Sequence, residues 1–170
     1  MSRKGRQGRG FGAYAFFVSS SFLLVVLDQA SKSWARSQLA PGSHLTLVPG
    51  LVDLTLVYNQ GAAFGILEGA RWLFVIIAAC FILAALVYLS RREQGGWLDV
   101  MAISLICAGA VGNLIDRLFI PAGVTDFIEA TFIEFPVFNI ADICVTLGCA
   151  LLIIHVLIGV RRSADEPGAD

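Results

Sequence analysis

Residues 72–89 read Trp72-Leu-Phe-Val-Ile-Ile-Ala-Ala-Cys-Phe-Ile-Leu-Ala-Ala-Leu-Val-Tyr-Leu89, eighteen positions without a charge. A stretch of this length and character is long enough to cross the hydrocarbon core of a bilayer as a helix. Its ends carry Trp72 and Tyr88, whose amphipathic rings favour the headgroup level. Three further stretches qualify on the same count, so the chain is expected to span the membrane four times, over about 11–36, 72–90, 98–118 and 140–160. Composition agrees. Of the 170 residues 57% are hydrophobic and 15% charged, with a mean hydropathy of +0.78, whereas a soluble domain carries about 45–50% apolar and about 25% charged residues. Such a chain cannot cover its own apolar surface with polar groups. A net charge of -1 gives no reason to expect nucleic acid as a partner.

Basic residues set the expected direction. Arg3, Lys4, Arg6 and Arg9 precede the first span, Arg91 and Arg92 fill the gap between the second and third, and Arg161 and Arg162 follow the fourth. Short cytoplasmic segments collect Lys and Arg, so both termini are predicted to be cytoplasmic. The segments of about 40–71 and 119–138 then lie outside. A basic start before an apolar stretch is also the form of a cleavable signal peptide. Here, however, Leu27 leads into Asp-Gln-Ala-Ser-Lys rather than into an A-x-A-like site.

The first outer segment has its own pattern. His44 to Val48, the turn Pro49-Gly50, and Leu51 to Tyr58 read as two short strands, the second alternating Val52, Leu54, Leu56 and Tyr58 with Asp53, Thr55 and Val57. A hairpin with one apolar face is a suitable cradle for an extended peptide. Gly61, Gly65 and Gly69 follow, and the 59–65 segment is expected to act as a lid over the substrate. The fold class is thus an all-α membrane protein: four transmembrane helices with a small extracytoplasmic β-hairpin, forming one domain over residues 1–170. The tails, 1–10 and 163–170, read as disordered. Cys80, Cys107, Cys144 and Cys149 all lie within apolar runs and read as packing residues rather than a disulfide or zinc framework.

Ionisable groups are expensive in a span, at about 2.5–3.5 kcal/mol each on insertion scales, and they usually mark function. They cluster near the outer span ends. Asp28 and Lys32 share a helical face, as do Asn113, Asp116 and Arg117; Asn139 and Asp142 open the fourth span, and Asp126 lies between. Asp28 with Lys32, and Asp116 with Arg117, are spaced to form buried pairs that fix packing, and an arginine beside a carboxylate holds it ionised. Asn139 suits a capping role. Asp126 and Asp142 have no cation adjacent in sequence. Asp53, Glu129 and Glu134 read as solvated loop charges, and His155 as a packing residue.

Neither histidine can complete a Ser-His-Asp arrangement at the outer end, and there is no H-E-x-x-H, so a zinc protease is not expected. Paired aspartates remain. Two neighbouring carboxylates share a proton, so one can take a proton from water while the other gives one to a carbonyl or leaving amine. No metal and no cofactor are called for. The rival readings are a transporter or proton relay, a metal-dependent lipid phosphotransferase, and a non-enzymatic binder or chaperone. A relay would spread polar groups across the whole membrane, whereas the inner halves of these spans are nearly all apolar.

At these residues the chain resembles the lipoprotein signal peptidase (signal peptidase II) family. Asp28-Gln-Ala-Ser-Lys32 looks like its D-x-x-[ST]-K box, Asn59-Gln-Gly-Ala-Ala-Phe64 its N-x-G-A-A-F loop and Gly112-Asn-Leu-Ile-Asp-Arg117 its G-N-x-x-D-R box. Val124-Thr-Asp-Phe127 looks like its V-x-D-F box and Phe138-Asn-Ile-Ala-Asp142 its F-N-x-A-D box. The resemblance implies an aspartic endopeptidase of the bacterial cytoplasmic (inner) membrane, working near the outer surface. Asp126 and Asp142 would be its catalytic pair, with Asp28, Lys32, Asn59, Gly61, Asn113, Asp116, Arg117 and Asn139 supporting or lining the site. The implied partners are prolipoproteins whose cysteine carries a diacylglyceryl group, cut just N-terminal to it, together with membrane lipid and globomycin-type inhibitors. Nothing demands a partner subunit, so a monomer is expected. The loop from Glu129 to Val137 carries no motif, and no role attaches to it.

Overall fold

A computed structural model of the chain describes residues 3–61, 66–91 and 96–165. Four helices, α1 (Arg3–Gln38), α2 (Arg71–Arg91), α3 (Trp97–Phe119) and α4 (Ile140–Asp165), alternate with three strands: β1 (His44–Val48), β2 (Val52–Asn59) and β3 (Val124–Ala130). Each helix is long and apolar enough to cross a membrane, over Gly12–Gln38, Arg71–Arg91, Trp97–Phe119 and Ile140–Val160. Helix continues beyond the spans into both tails expected to be disordered, to Arg3 and Asp165. Extending an existing helix avoids the cost of a new nucleus.

The third helix is the hub. It packs against the other three, and 56% of its span is buried, against 17%, 11% and 11% of α1, α2 and α4. Two glycines set the α3–α4 distance. A methyl on Gly109 would run into the Ala141 carbonyl and sit 2.6 Å from Val145 Cγ2, while one on Gly148 would lie 2.8 Å from the Ala102 carbonyl. Without a hydrophobic force between helices in lipid, close backbone approach at small residues supplies the packing energy. At the end of the bundle remote from the sheet, Ala13, Phe17, Ala85, Leu89, Val100, Ile103 and Cys107 form an apolar cluster. Asp99 is buried beside it and accepts a 2.9 Å hydrogen bond from Tyr88.

The hairpin is there, but it is part of a larger sheet. β3, from the segment between α3 and α4, pairs antiparallel with β2, so the order is β1-β2-β3. Sequence pattern hides this strand because Val124, Thr125, Asp126 and Phe127 are all buried. A strand covered on both faces shows no alternation of apolar and polar residues. The apolar face of β2 is also not open to a peptide. Leu54 and Leu56 pack with Ala35 and Leu39 at the end of α1 and with Phe127 of β3. This cluster fixes the sheet to the bundle and so positions β3 beside the helix ends.

Candidate active site

Five polar side chains from four elements meet where the sheet joins the bundle. Asp126 comes from β3, Asn59 from the end of β2, Asn113 from α3, and Asn139 and Asp142 from the start of α4. Asn139 and Asp142 form a reciprocal cap: Asn139 Oδ1 accepts from the Asp142 amide at 3.0 Å, and Asp142 Oδ2 accepts from the Asn139 amide at 3.1 Å. This is a capping box with an aspartate in the place of the usual Glu or Gln. Local helix chemistry therefore fixes the direction of the Asp142 carboxylate.

The asparagines then divide the four carboxylate oxygens. Asn139 Nδ2 donates to Asp126 Oδ1 at 2.6 Å and Asn59 Nδ2 to Asp126 Oδ2 at 3.0 Å. Asn113 Nδ2 donates to Asp142 Oδ1 at 2.7 Å, leaving Oδ2 with the cap. The amide oxygens are occupied as well. Asn59 Oδ1 receives the Gly61 N–H at 2.9 Å, and Asn113 Oδ1 receives Lys32 Nζ at 2.9 Å and Asn139 Nδ2 at 3.0 Å. None of the three amides can flip without losing a bond. Burial pushes the Asp126 carboxyl up to about 7; the Asp142 charge adds to this, against the Asn59 and Asn139 hydrogen bonds and the Lys32 charge.

A second cluster lies behind the first. Lys32 is fully buried and sits 2.9 Å from Asp28 Oδ2 and 3.8 Å from Asp116 Oδ2. Asp28 Oδ1 accepts the Ala141 amide at 2.9 Å and Asp116 Oδ2 the Thr125 amide at 2.8 Å. Each carboxylate thus ties a backbone N–H of another element, α4 or β3, to the ion cluster. The expected pairing of Asp116 with Arg117 is corrected here. The cations nearest Asp116 are Lys32 and Arg36, both from α1, because successive helical residues point about 100° apart. Arg117 points instead to the cavity. It donates to the carbonyls of Gly61 (3.2 Å) and Asn113 (3.4 Å), and its guanidinium carbon lies 4.8 Å from the Phe74 ring centroid.

A cavity of about 480 Å³ opens on the two aspartates. Asn59, Gly61, Asn113, Arg117, Asp126 and Asp142 line its polar end, and α2, α3 and α4 supply apolar walls through residues such as Phe74, Ile77, Phe81 and Ile106. Asp28, Lys32, Asp116 and Asn139 are buried behind this lining. Phe135, Pro136 and Val137 also face the cavity, so part of the loop that carried no motif belongs to it. Of the 59–65 segment, Asn59 and Gly61 are in place, while residues 62–65 lie outside the described residues. Gln29, Arg36 and Thr125 were missed by sequence reasoning. Gln29 and Thr125 lie inside motif boxes, at positions those motifs leave free, and Arg36 had only its i,i+4 spacing from Lys32 as a signal.

Among the described residues, His44, Asp53 and Glu129 have ligand atoms within 4.8 Å of one another. They lie on the sheet, with His44 Nδ1 2.9 Å from Glu129 Oε2, and none lines the cavity.

The arrangement defines a class: a multi-pass membrane protein with one buried and one half-buried carboxylate, held by amides, facing a largely apolar cavity. Comparison with known proteins narrows it. The family model described as signal peptidase (SPase) II matches residues 20–158. The lipoprotein signal peptidase of Streptococcus pyogenes serotype M5 (strain Manfredo) is 44% identical over 138 residues, 81% of this chain and 90% of that protein. That of Lactiplantibacillus plantarum is 45% identical over 139 residues, 82% of this chain and 89% of the other. A bacterial membrane enzyme solved by the in meso method at 2.3 Å superposes with a TM-score of 0.82 at 32% identity, covering 92% of this chain and 95% of its own. A second, solved by the same method at 1.9 Å, gives 0.77 at 34% identity, covering 84% and 93%. The chain belongs to the signal peptidase II family.

Proposed function

We propose that this chain, a peptidase that removes the signal peptide from prolipoproteins, does so as an aspartic endopeptidase with Asp126 and Asp142 as its catalytic pair. The observation that supports this reading is that each carboxylate oxygen of the pair takes an N–H donor while both side chains face one cavity. In the mechanism, Asp126 carries the proton and Asp142 is the base. Water attacks the scissile carbonyl carbon, its proton passes to Asp142, and the Asp126 proton passes to the carbonyl oxygen. The resulting gem-diol collapses, the C–N bond breaks, Asp142 gives its proton to the leaving amine, and Asp126 recovers one from a diol hydroxyl. No step needs a metal or a covalent intermediate.

The substrate in this proposal is a prolipoprotein with a diacylglyceryl-modified cysteine, cut N-terminal to that cysteine. The apolar walls from α2, α3 and α4 suit a signal helix, and the acyl chains remain in the bilayer beside the bundle. The basic residues ahead of the first span, at the connection between α2 and α3, and after the α4 span support an orientation with both termini in the cytoplasm and the sheet outside. The protein acts as a monomer and binds globomycin-type cyclic peptides in the cavity. Transport is not favoured, since the matched family and relatives are peptidases.

The test is to incubate purified protein in detergent with modified and unmodified prolipoprotein, with and without a chelator. Release of the signal peptide from the modified form only, unaffected by the chelator, is the expected result. Turnover that disappears with the chelator, or that persists in Asp126→Asn or Asp142→Asn, would overturn it.

A further inference from the structure

Asp126 is one residue from a backbone position that two side chains grip from the same side. The Thr125 amide donates to Asp116 Oδ2 at 2.8 Å, and the Thr125 hydroxyl oxygen accepts from Arg36 Nη1 at 2.8 Å. Arg36 also lies 3.8 Å from the same Asp116 oxygen, so the two grips close on each other. The third polar atom of Thr125, its carbonyl oxygen, faces Asn139 Nδ2 at 3.3 Å, the amide that also holds Asp126 Oδ1. Thr125 has no exposed surface. Each of its polar groups is therefore tied to a different helix: α1 through Arg36, α3 through Asp116 and, through Asn139, the start of α4.

Ladder bonds with β2 alone would leave this segment less determined. The β2–β3 register shifts between Leu54 and Val57, the stretch facing the residues just after Asp126, and such irregularities locally disrupt the ladder and re-aim side chains. Side-chain clamps on Thr125 supply the missing constraint.

We propose that Arg36, acting through the Thr125 hydroxyl and braced by Asp116, is a positioning residue that sets where the Asp126 carboxylate sits relative to Asp142. The inference rests on the assignment of Asp126 to catalysis. Arg36 does not line the cavity, so it acts on the rate of the bond-breaking step rather than on substrate binding. Misplacement of a reacting group by about 1 Å can cost on the order of 100-fold in rate, and loss of one of three ties should cost less.

The experiment is a double-mutant cycle with Arg36→Met and Thr125→Val, read as kcat and KM for a modified prolipoprotein, with Asp126→Asn as control and thermal stability recorded for each. Both substitutions keep approximate volume and remove the polar contact. Each single variant should lose about tenfold in kcat with KM within about twofold. The double variant should lose about tenfold in total rather than about 100-fold, since the two side chains form one contact. Thr125→Ser, which keeps the hydroxyl, should retain most of the kcat. Wild-type kcat in both single variants, or losses that multiply in the double variant, would overturn the proposal, whatever their thermal stability. If Asp126→Asn itself turns over, the assignment of the catalytic pair has failed. An inactive Asp126→Asn beside fully active Arg36→Met and Thr125→Val sinks this inference alone.

Discussion

Cleavage should fall as pH rises through about 7, and the cause is Asp126. Burial and the neighbouring Asp142 charge hold its carboxyl up at about 7, against an ordinary 3.8. The proposed mechanism needs the proton on Asp126 to protonate the scissile carbonyl. Below about pH 7 that proton is present; above it the active fraction drops tenfold per pH unit, so at pH 8 about one molecule in ten remains competent. The assay is kcat/KM for a diacylglyceryl-modified prolipoprotein from pH 6 to 9, which reports groups of the free enzyme. A second measurement tests the cause. Asn59 donates at 3.0 Å to Asp126 Oδ2 and opposes the upward shift. Removing a hydrogen bond to a charged group withdraws about 1.5 kcal/mol from the ionised form, about one pKa unit. The Asn59→Ala variant should therefore have its alkaline limb about one unit higher, at a lower plateau. A profile that is flat from pH 6 to 9, or a limb that moves down in Asn59→Ala, would refute the reasoning.

Other perturbations follow from the same contacts. Asp126→Asn and Asp142→Asn should each abolish signal-peptide release while the protein stays folded and inserted, seen as unchanged helical circular dichroism and detergent-solubilised yield. Asn59→Ala should lower kcat/KM about tenfold near neutral pH, corresponding to about 1.4 kcal/mol, with little change in thermal stability. Lys32→Met leaves Asp28 and Asp116 facing each other without their buried cation, and should destabilise by about 3–5 kcal/mol in denaturant titrations. Gly112→Ala places a methyl 2.5 Å from Asp28 Oδ2. That oxygen is held by Lys32 at 2.9 Å, so a loss of about 1–3 kcal/mol is expected in the same assay.

The four spans were legible because a bilayer demands length and apolarity together, and both can be read along the chain. The hairpin was legible in the alternation of β2 and in Pro49-Gly50. β3 was not, since its first four residues are buried on both faces and carry no period. Motif boxes picked out the polar residues of the site but not their partners. Asp116 and Arg117 are neighbours in sequence and part company in space, while Asp116 and Arg36 lie 80 positions apart and share an oxygen's surroundings. The 129–137 loop shows the same limit. Its Phe135 to Val137 segment faces the cavity, yet an apolar side chain in a loop announces nothing until the wall it completes is known.

The division between asparagines and cations explains why this site needs so many polar residues. Asp28 and Asp116 serve as fixed anchors, and Lys32 or Arg36 lies within 4 Å of each. Each of these carboxylates has a structural task, holding a backbone N–H of another element. In the proposed mechanism Asp126 has the opposite task, since there it gains and loses a proton in every turnover. Its oxygens meet two neutral amides instead. An amide fixes the direction of a carboxylate at a cost to the proton smaller than that of an adjacent charge, so burial can still hold Asp126 near neutrality. Moving a cation into contact with Asp126 would keep the geometry and remove the chemistry. The asparagines at 59, 113 and 139 are therefore suited to the proposed pair, whose chemistry asks for firm placement without an adjacent charge.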